Sequence, residues 1–317
     1  MTIISAVFLL LVLVVGLAVV SVRPDLPLST LEEKYTNAYS HFVEIGSVRV
    51  HYRDQGQGPA LVLLHGTFAS LHTWDGWADS LREEYRVIRL DLPGFGLTGP
   101  RPSGDYRLAT EVSFLHEFLE MLSVDRFYLV GNSLGGHIAW RYALNYPEQV
   151  QKLILLDSAG ARGWNQAPWI FRLVRELPIP EAATVLTPRF LVRLILHHIY
   201  ADPSRVDPPL VDLYFDLVRR PGNRSAFVQR AKLHEPSRFD ELIQLNIPTL
   251  LIWGAEDPWI PLEIAREFER ILPRAHLSVI EGAGHLPMEE RPAATLRPVR
   301  PFLRSASRSP APVRGDQ

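Results

Sequence analysis

An α/β fold built around parallel strands is what this 317-residue sequence predicts, and three observations carry the prediction. Strand-type runs recur at Ala60–Leu64, Arg86–Leu90, Arg126–Val130, Val150–Leu156 and Ile247–Trp253. Several are apolar throughout, as strands buried on both faces of a parallel sheet must be. Segments of helical spacing lie between them, at Leu71–Leu81, Arg107–Leu122 and Leu262–Leu272, and strands that alternate with helices read as βαβ units. Finally, Tyr128–Ala143, YLVGNSLGGHIAWRYA, shows a strand, a sharp turn and a helix in one continuous stretch.

Composition sets limits before any single residue is considered. With 47% hydrophobic and 21% charged residues, the chain can bury a large core, and its length fits two domains or one α/β unit with an inserted cap. A formal net charge of −2, with no block of like charge, leaves no nucleic-acid footprint. The absence of cysteine excludes disulfides, thiolate metal sites and a cysteine nucleophile. Any nucleophile is oxygen or nitrogen.

Taken in order, the chain opens with an almost unbroken apolar run from Ile3 to Val22, which matches the roughly 20 residues a helix needs to cross a bilayer. No Lys or Arg precedes Arg23 and Ala18–Ser21 is a poor cleavage site, so the run is expected to be a single-pass membrane anchor rather than a cleaved signal. This places the protein at a membrane, on a side the sequence does not specify. The expected division is an anchor at 1–22, a polar tether at 23–40, a folded domain at 41–304 and a disordered tail at 305–317. His41–Asp54 alternates around Gly46-Ser47 and reads as a β-hairpin.

Past the Ala60–Leu64 strand comes His65-Gly66-Thr67-Phe68, where a glycine turns the backbone sharply and leaves the next amides free to face a ligand. The Thr67 amide, with Phe68 as the alternative, is one oxyanion donor; His65 is read as making a structural hydrogen bond in its tight turn rather than as a base. Asp91, at the end of the next strand, precedes Pro93 and Gly94 and is read as bracing that turn. Gly131-Asn132-Ser133-Leu134-Gly135 fits Gly-x-Ser-x-Gly, and in a strand-turn-helix context this holds Ser133 in a strained conformation with its hydroxyl exposed. The Leu134 amide, in the first helical turn, is the second donor.

Strand-helix alternation stops after Asp157-Ser158-Ala159-Gly160, and about 161–240 holds proline-broken helical pieces with apolar faces, read as an inserted cap. The histidines within it, His197, His198 and His234, read as packing or surface residues. After Ile247–Trp253 stand two neighbouring carboxylates, Glu256 and Asp257, with Asp257 preferred and Glu256 kept open. His285 follows the last strand in a glycine-flanked loop, and Met288–Leu303 reads as a closing helix that Pro292, Pro298 and Pro301 kink or interrupt. Ser133, Asp257 and His285 thus come in that order, each just past a predicted strand, and such strand ends share one edge of an open α/β sheet. A serine hydroxyl is a weak nucleophile, so His285 takes its proton while Asp257 fixes the imidazole tautomer and stabilises the imidazolium.

HGTF at 65–68, DLPGFGLT at 91–98, GNSLGG at 131–136, GAEDPWIP at 254–261 and GAGHLPMEERP at 282–292 together make residues 42–303 resemble the α/β-hydrolase superfamily. The resemblance implies a mostly parallel eight-stranded sheet with helices on both faces, a helical cap, no cofactor or metal, and an acyl-enzyme on Ser133. Esterases and carbon-carbon bond hydrolases of ring-fission products look similar around GNSLGG. HGTF in place of a glycine run, and Leu286-Pro287 in place of an aromatic residue after His285, depart from the carbon-carbon enzymes. Ser133 where other relatives carry aspartate argues against haloalkane dehalogenases and epoxide hydrolases. The expected activity is therefore hydrolysis of an apolar carboxylic ester, with carbon-carbon or perhydrolytic cleavage as the alternative. A membrane-tethered binding protein without turnover is a third reading.

Overall fold

The computed structural model describes residues 22–162, 168–176, 184 and 187–305. Its centre is an eight-stranded sheet: β1 (Ser40–Ile45), β2 (Val48–Gln55), β3 (Ala60–Leu64), β4 (Arg86–Leu90), β5 (Phe127–Asn132), β6 (Val150–Leu156), β7 (Thr249–Gly254) and β8 (Ala275–Ile280). The strand order is β1-β2-β4-β3-β5-β6-β7-β8. β1 and β2 form the expected hairpin, Ile45 facing Val48 across the Gly46-Ser47 turn, and β2 pairs antiparallel with β4; every later pairing is parallel. All six residues of β7 are buried, as its unbroken apolar sequence requires.

Helices follow the strands. α1 (Leu28–Tyr35) precedes the sheet; after β3 come a 3-10 turn at Leu71–Trp74 and α2 (Asp75–Leu81); then α3 (Leu108–Met121) and α4 (Leu134–Asn145). Trp74 and Trp77 are fully buried, and the Trp77 indole donates to Thr295 Oγ1 at 2.9 Å. Between β6 and β7 the chain is helical: α5 (Trp169–Glu176), α6 (Arg189–Ile199), α7 (Pro208–Val218) and α8 (Asn223–Ala231). α9 (Leu262–Ile271) packs on β7 and β8. The closing segment is two helices, α10 (Pro287–Glu290) and α11 (Pro292–Arg304), with non-helical backbone at Arg291 between them, φ −135° and ψ 55°. Pro292 begins α11, where its missing N–H costs nothing, while Pro298 and Pro301 lie inside the helix without ending it.

Two expectations about the N-terminal region change. The apolar run falls outside the described residues up to position 21, and among the described residues no helix is long and apolar enough to cross a membrane. The longest of those helices named above, α3, has 14 residues, which at 1.5 Å per residue is about 21 Å against a core of about 30 Å. The expected membrane localisation, with the membrane as a partner, is withdrawn. The segment read as a tether contains α1, whose Leu31 is fully buried against Leu97 and Leu217. Arg224 reaches back to the carbonyl of Arg23 and to Asp25, fastening this segment to the cap.

Asp91 accepts hydrogen bonds from the amides of Leu71 and Leu97 and lies 2.8 Å from His51 Nδ1. Burial works against its charge, yet the hydrogen bond with His51 and the neighbouring histidines hold its pKa below the usual carboxylate range. His51 Nε2 in turn lies 3.0 Å from Ser40 Oγ. This is a serine-histidine-aspartate chain, but its serine hydroxyl already accepts from Asn37 N–H and Arg53 Nε, so it braces the hairpin against the sheet.

Two further histidines stay neutral here. His65 is fully buried, its Nε2 accepts from Leu92 N–H at 2.9 Å, and its Nδ1 lies 2.7 Å from the Gly66 carbonyl; burial holds its pKa down. Burial first, and then the charge of Arg53, lower His72 to about 4. Both take up protons on unfolding below the free-histidine pKa of about 6.5. Their stabilisation is complete above that pH and is lost as the pH falls from it towards the folded values. The unfolding free energy from urea titration is therefore expected to fall between pH 7 and pH 5, by up to about 1.4 kcal/mol per pH unit for each such histidine. His65→Gln should make that decline shallower; an unchanged slope would show that His65 is charged when folded.

Candidate active site

The turn between β5 and α4 sets the position of Ser133. Its backbone lies at φ 52°, ψ −115°, a region that costs an L-residue on the order of 1–3 kcal/mol and persists only where the surroundings enforce it. They do so through close packing: a Cβ on Gly131 would sit 2.2 Å from the Gly135 carbonyl oxygen, and one on Gly135 would sit 2.3 Å from that of Leu64. Asn132, fully buried, donates from Nδ2 to the carbonyls of Leu156 and His285. The turn is thereby tied to the end of β6 and to the histidine loop.

Asp257 and His285 meet behind the turn. Asp257 Oδ1 accepts from the amides of Trp259 at 2.7 Å and Ile260 at 3.0 Å, while Oδ2 lies 2.7 Å from His285 Nδ1. Both side chains are buried. The neighbouring Glu256, left open by the sequence, is exposed and accepts instead from the amides of Gly282 and Ala283. His285 is held through its own backbone, with its N–H on the Ile199 carbonyl at 2.8 Å and its ring against Trp259.

Ser133, His285 and Thr67 line the same two cavities. The inner one, about 190 Å³, is walled by cap side chains including Ile170, Val174, Leu191, Ile195 and Phe227. Arg224 touches it but is paired with Asp25 at 2.6 Å. The second, about 350 Å³ and more open, carries Leu134, His137, Arg230 and Glu235. Burial, and then the charge of Arg141, lower His137 to about 3, so it meets that cavity as a neutral ring. Among the described residues, neither the Thr67 nor the Leu134 amide has a protein acceptor. Leu134 N–H belongs to the first turn of α4, where the helix end is positive. Phe68 has φ 66° and packs its ring on Phe227 at 4.3 Å, joining this loop to the cap.

Three contributors escaped sequence reading. Asp157 is fully buried at the end of β6; its Oδ1 accepts from Gly254 N–H at 2.9 Å and its Oδ2 has no hydrogen-bond partner. Glu289, half-buried, accepts from the hydroxyls of Tyr200 at 2.8 Å and Tyr214 at 2.9 Å in the cap. Glu290 accepts from the amides of Gly284, Ala201 and Asp202. The aspartate directly past a predicted parallel strand was a readable signal; the glutamates gave none, since their partners in the cap are remote in sequence.

If the turn depends on this packing, Gly135→Ala should lower stability by about 1–3 kcal/mol or more, read as a fall in Tm. A Tm equal to that of the unsubstituted protein would show that the helix can retreat from β3.

Comparison with known proteins agrees with the architecture. Residues 59–292 match a family described as alpha/beta hydrolase fold. A 2-hydroxy-6-oxononadienedioate/2-hydroxy-6-oxononatrienedioate hydrolase of Paraburkholderia phymatum is 31% identical over 278 residues, covering 81% of this chain and 91% of its own. Among solved structures, a membrane phospholipase A described as a bacterial virulence factor is similar at TM-score 0.74 and 27% identity, covering 95% of this chain and 97% of its own. A meta-cleavage product hydrolase of Pseudomonas fluorescens is similar at TM-score 0.73 and 26% identity, covering 83% and 97%. With the sheet order, the serine turn and these matches in agreement, the chain belongs to the α/β-hydrolase fold family.

Proposed function

We propose that this hydrolase works through Ser133 as nucleophile, His285 as general base and then general acid, and Asp257 as the carboxylate that orients His285. The observation that carries the reading is the 2.7 Å contact between His285 and Asp257 beside a cavity that Ser133 also lines. Attack on a carbonyl carbon would form a tetrahedral oxyanion, stabilised by the amides of Thr67 and Leu134, with Phe68 as the alternative to Thr67. Loss of one such donor typically costs about 10²- to 10³-fold in rate. Collapse leaves an acyl group on Ser133, which water activated by His285 then removes.

The same oxyanion can expel an enolate or an alkoxide, so the residues alone do not choose between carbon-carbon and ester cleavage. Ester hydrolysis came first in the sequence reading, and the relatives reverse that order. A curated relative at 31% identity and a solved structure at 26% are named as hydrolases of dienedioates and meta-cleavage products. We therefore put first the carbon-carbon bond of a 2-hydroxy-6-oxo-dienoate, its apolar substituent in the inner cavity and its polar chain in the outer one. Hydrolysis of an apolar acyl ester is the second reading. It is favoured by the apolar cap side chains of the inner cavity and by the likeness to the phospholipase.

Loss of absorbance of a 2-hydroxy-6-oxo-dienoate, run beside a chain-length series of p-nitrophenyl esters, separates the two. Carbon-carbon specificity predicts the higher kcat/KM on the dienoate; activity on esters alone overturns it in favour of the second reading. Ser133→Ala and His285→Ala should abolish both activities and labelling by a fluorophosphonate. Turnover that survives Ser133→Ala would sink the serine mechanism.

A further inference from the structure

Resting on the serine reading, we infer that Asp157 is a second carboxyl group of the triad: it shares one proton with Asp257 and can take over the orientation of His285 when Asp257 is lost. The argument begins with placement. Asp157, Asp257 and His285 follow β6, β7 and β8, three neighbouring strands of the sheet. One oxygen from each carboxyl and a ring nitrogen of His285 all lie within 4.8 Å of one another, and all three residues are buried. Asp157 reaches this position through backbone at φ 43°, a conformation uncommon for a non-glycine residue.

Charge then decides how the two carboxyls coexist. Asp257 is supplied with donors, two amides on Oδ1 and His285 on Oδ2. Asp157 has one, Gly254 N–H on Oδ1, while its buried Oδ2 has none. Two adjacent buried carboxylates cannot both stay ionised, and the one with fewer donors keeps the proton. Burial first, and then the charge of Asp257, push the Asp157 carboxyl well above its ordinary pKa. The charged and titratable groups acting on it are Asp257, His285 and, further off, Glu290. At neutral pH the pair carries one proton, on Asp157 Oδ2, facing the Asp257 carboxylate. When Asp257 is replaced by alanine, its negative charge goes, Asp157 loses its proton more readily, and the imidazole has a carboxylate within reach of a small tilt.

A double-mutant cycle tests this, with the rate of fluorophosphonate labelling of Ser133 as the readout, so that the natural substrate is not needed. Asp157→Asn keeps an acceptor for Gly254 N–H and a donor for Asp257, as the protonated acid does, and should cost less than about tenfold. Loss of a lone triad carboxylate costs about 10⁴-fold; Asp257→Ala should lose less than a tenth of that factor, and the Asp157→Asn/Asp257→Ala pair should lose the remainder. The single Asp257→Ala variant should also gain a rise in labelling rate with pH, from ionisation of Asp157, that the double variant lacks. A merely structural Asp157 would not produce that limb. Equal rates for Asp257→Ala and the double variant, with far-UV and near-UV circular dichroism unchanged, overturn the inference and leave the serine mechanism standing. Labelling that survives Ser133→Ala, or is absent from the unsubstituted protein, overturns both.

Discussion

The constraint on which the rest of this molecule depends is the left-handed backbone at Ser133. A strand of the central sheet must end, reverse and enter a helix within a few residues, and a serine must occupy the strained position rather than a glycine. The strain is small beside the packing around it: Gly131 and Gly135 let α4 approach β5 and β3 to distances at which any side chain would collide with a carbonyl oxygen. The Ser133 amide bonds to the Leu156 carbonyl, and its own carbonyl accepts from His137 and Ala159. The turn is thus over-determined by β6 as well as by its own helix, which is what lets a costly conformation persist.

The histidine loop is fixed from a different direction. Its backbone bonds to Ile199 at the end of α6, and Glu290 gathers amides from the loop and from the cap linker. Glu289 adds two cap tyrosines, and burial raises its pKa against the opposition of those hydrogen bonds. Glu290, which holds the backbone beside His285, therefore also holds the cap linker. Placement of His285 and closure of the apolar cavity are coupled through one pair of adjacent glutamates, and a disturbance of α6 or α7 should reach His285 without touching it.

Polar groups in the interior sort by whether their partners are complete. The Asp91 carboxylate has two amides and a histidine, and it braces a hairpin. Lys152 is buried and donates to the carbonyls of Phe302 and Leu303 at the end of α11, where a cation suits the negative helix end. Asp157 is less complete, one oxygen satisfied and the other not, in the place where two carboxyl groups and an imidazole meet. An unsatisfied buried oxygen is expensive, and a shared proton is the simplest way to reduce that cost.

The sequence by itself determined the order of the parallel strands along the chain, the glycine-bracketed serine turn and the identity of the residues that approach it. Each of these is local: apolar runs demand two covered faces, glycine spacing permits close approach, and a residue placed just past a parallel strand arrives at a shared edge. It preferred Asp257 but left Glu256 open, because adjacent residues have nearly the same spacing and only the turn after β7 points one inward and the other to solvent. It gave a helix to the apolar N-terminal run on length alone, and a tether to residues that form α1 and pack on Leu217. Tertiary structure alone decided the partners of Glu289 and Glu290, the apolar cavity under the cap and the closeness of Asp157 to Asp257. Most of these contacts join segments far apart in the chain, 75 residues for Glu289 with Tyr214 and 88 for Glu290 with Asp202, where nothing in local pattern records which surfaces will meet.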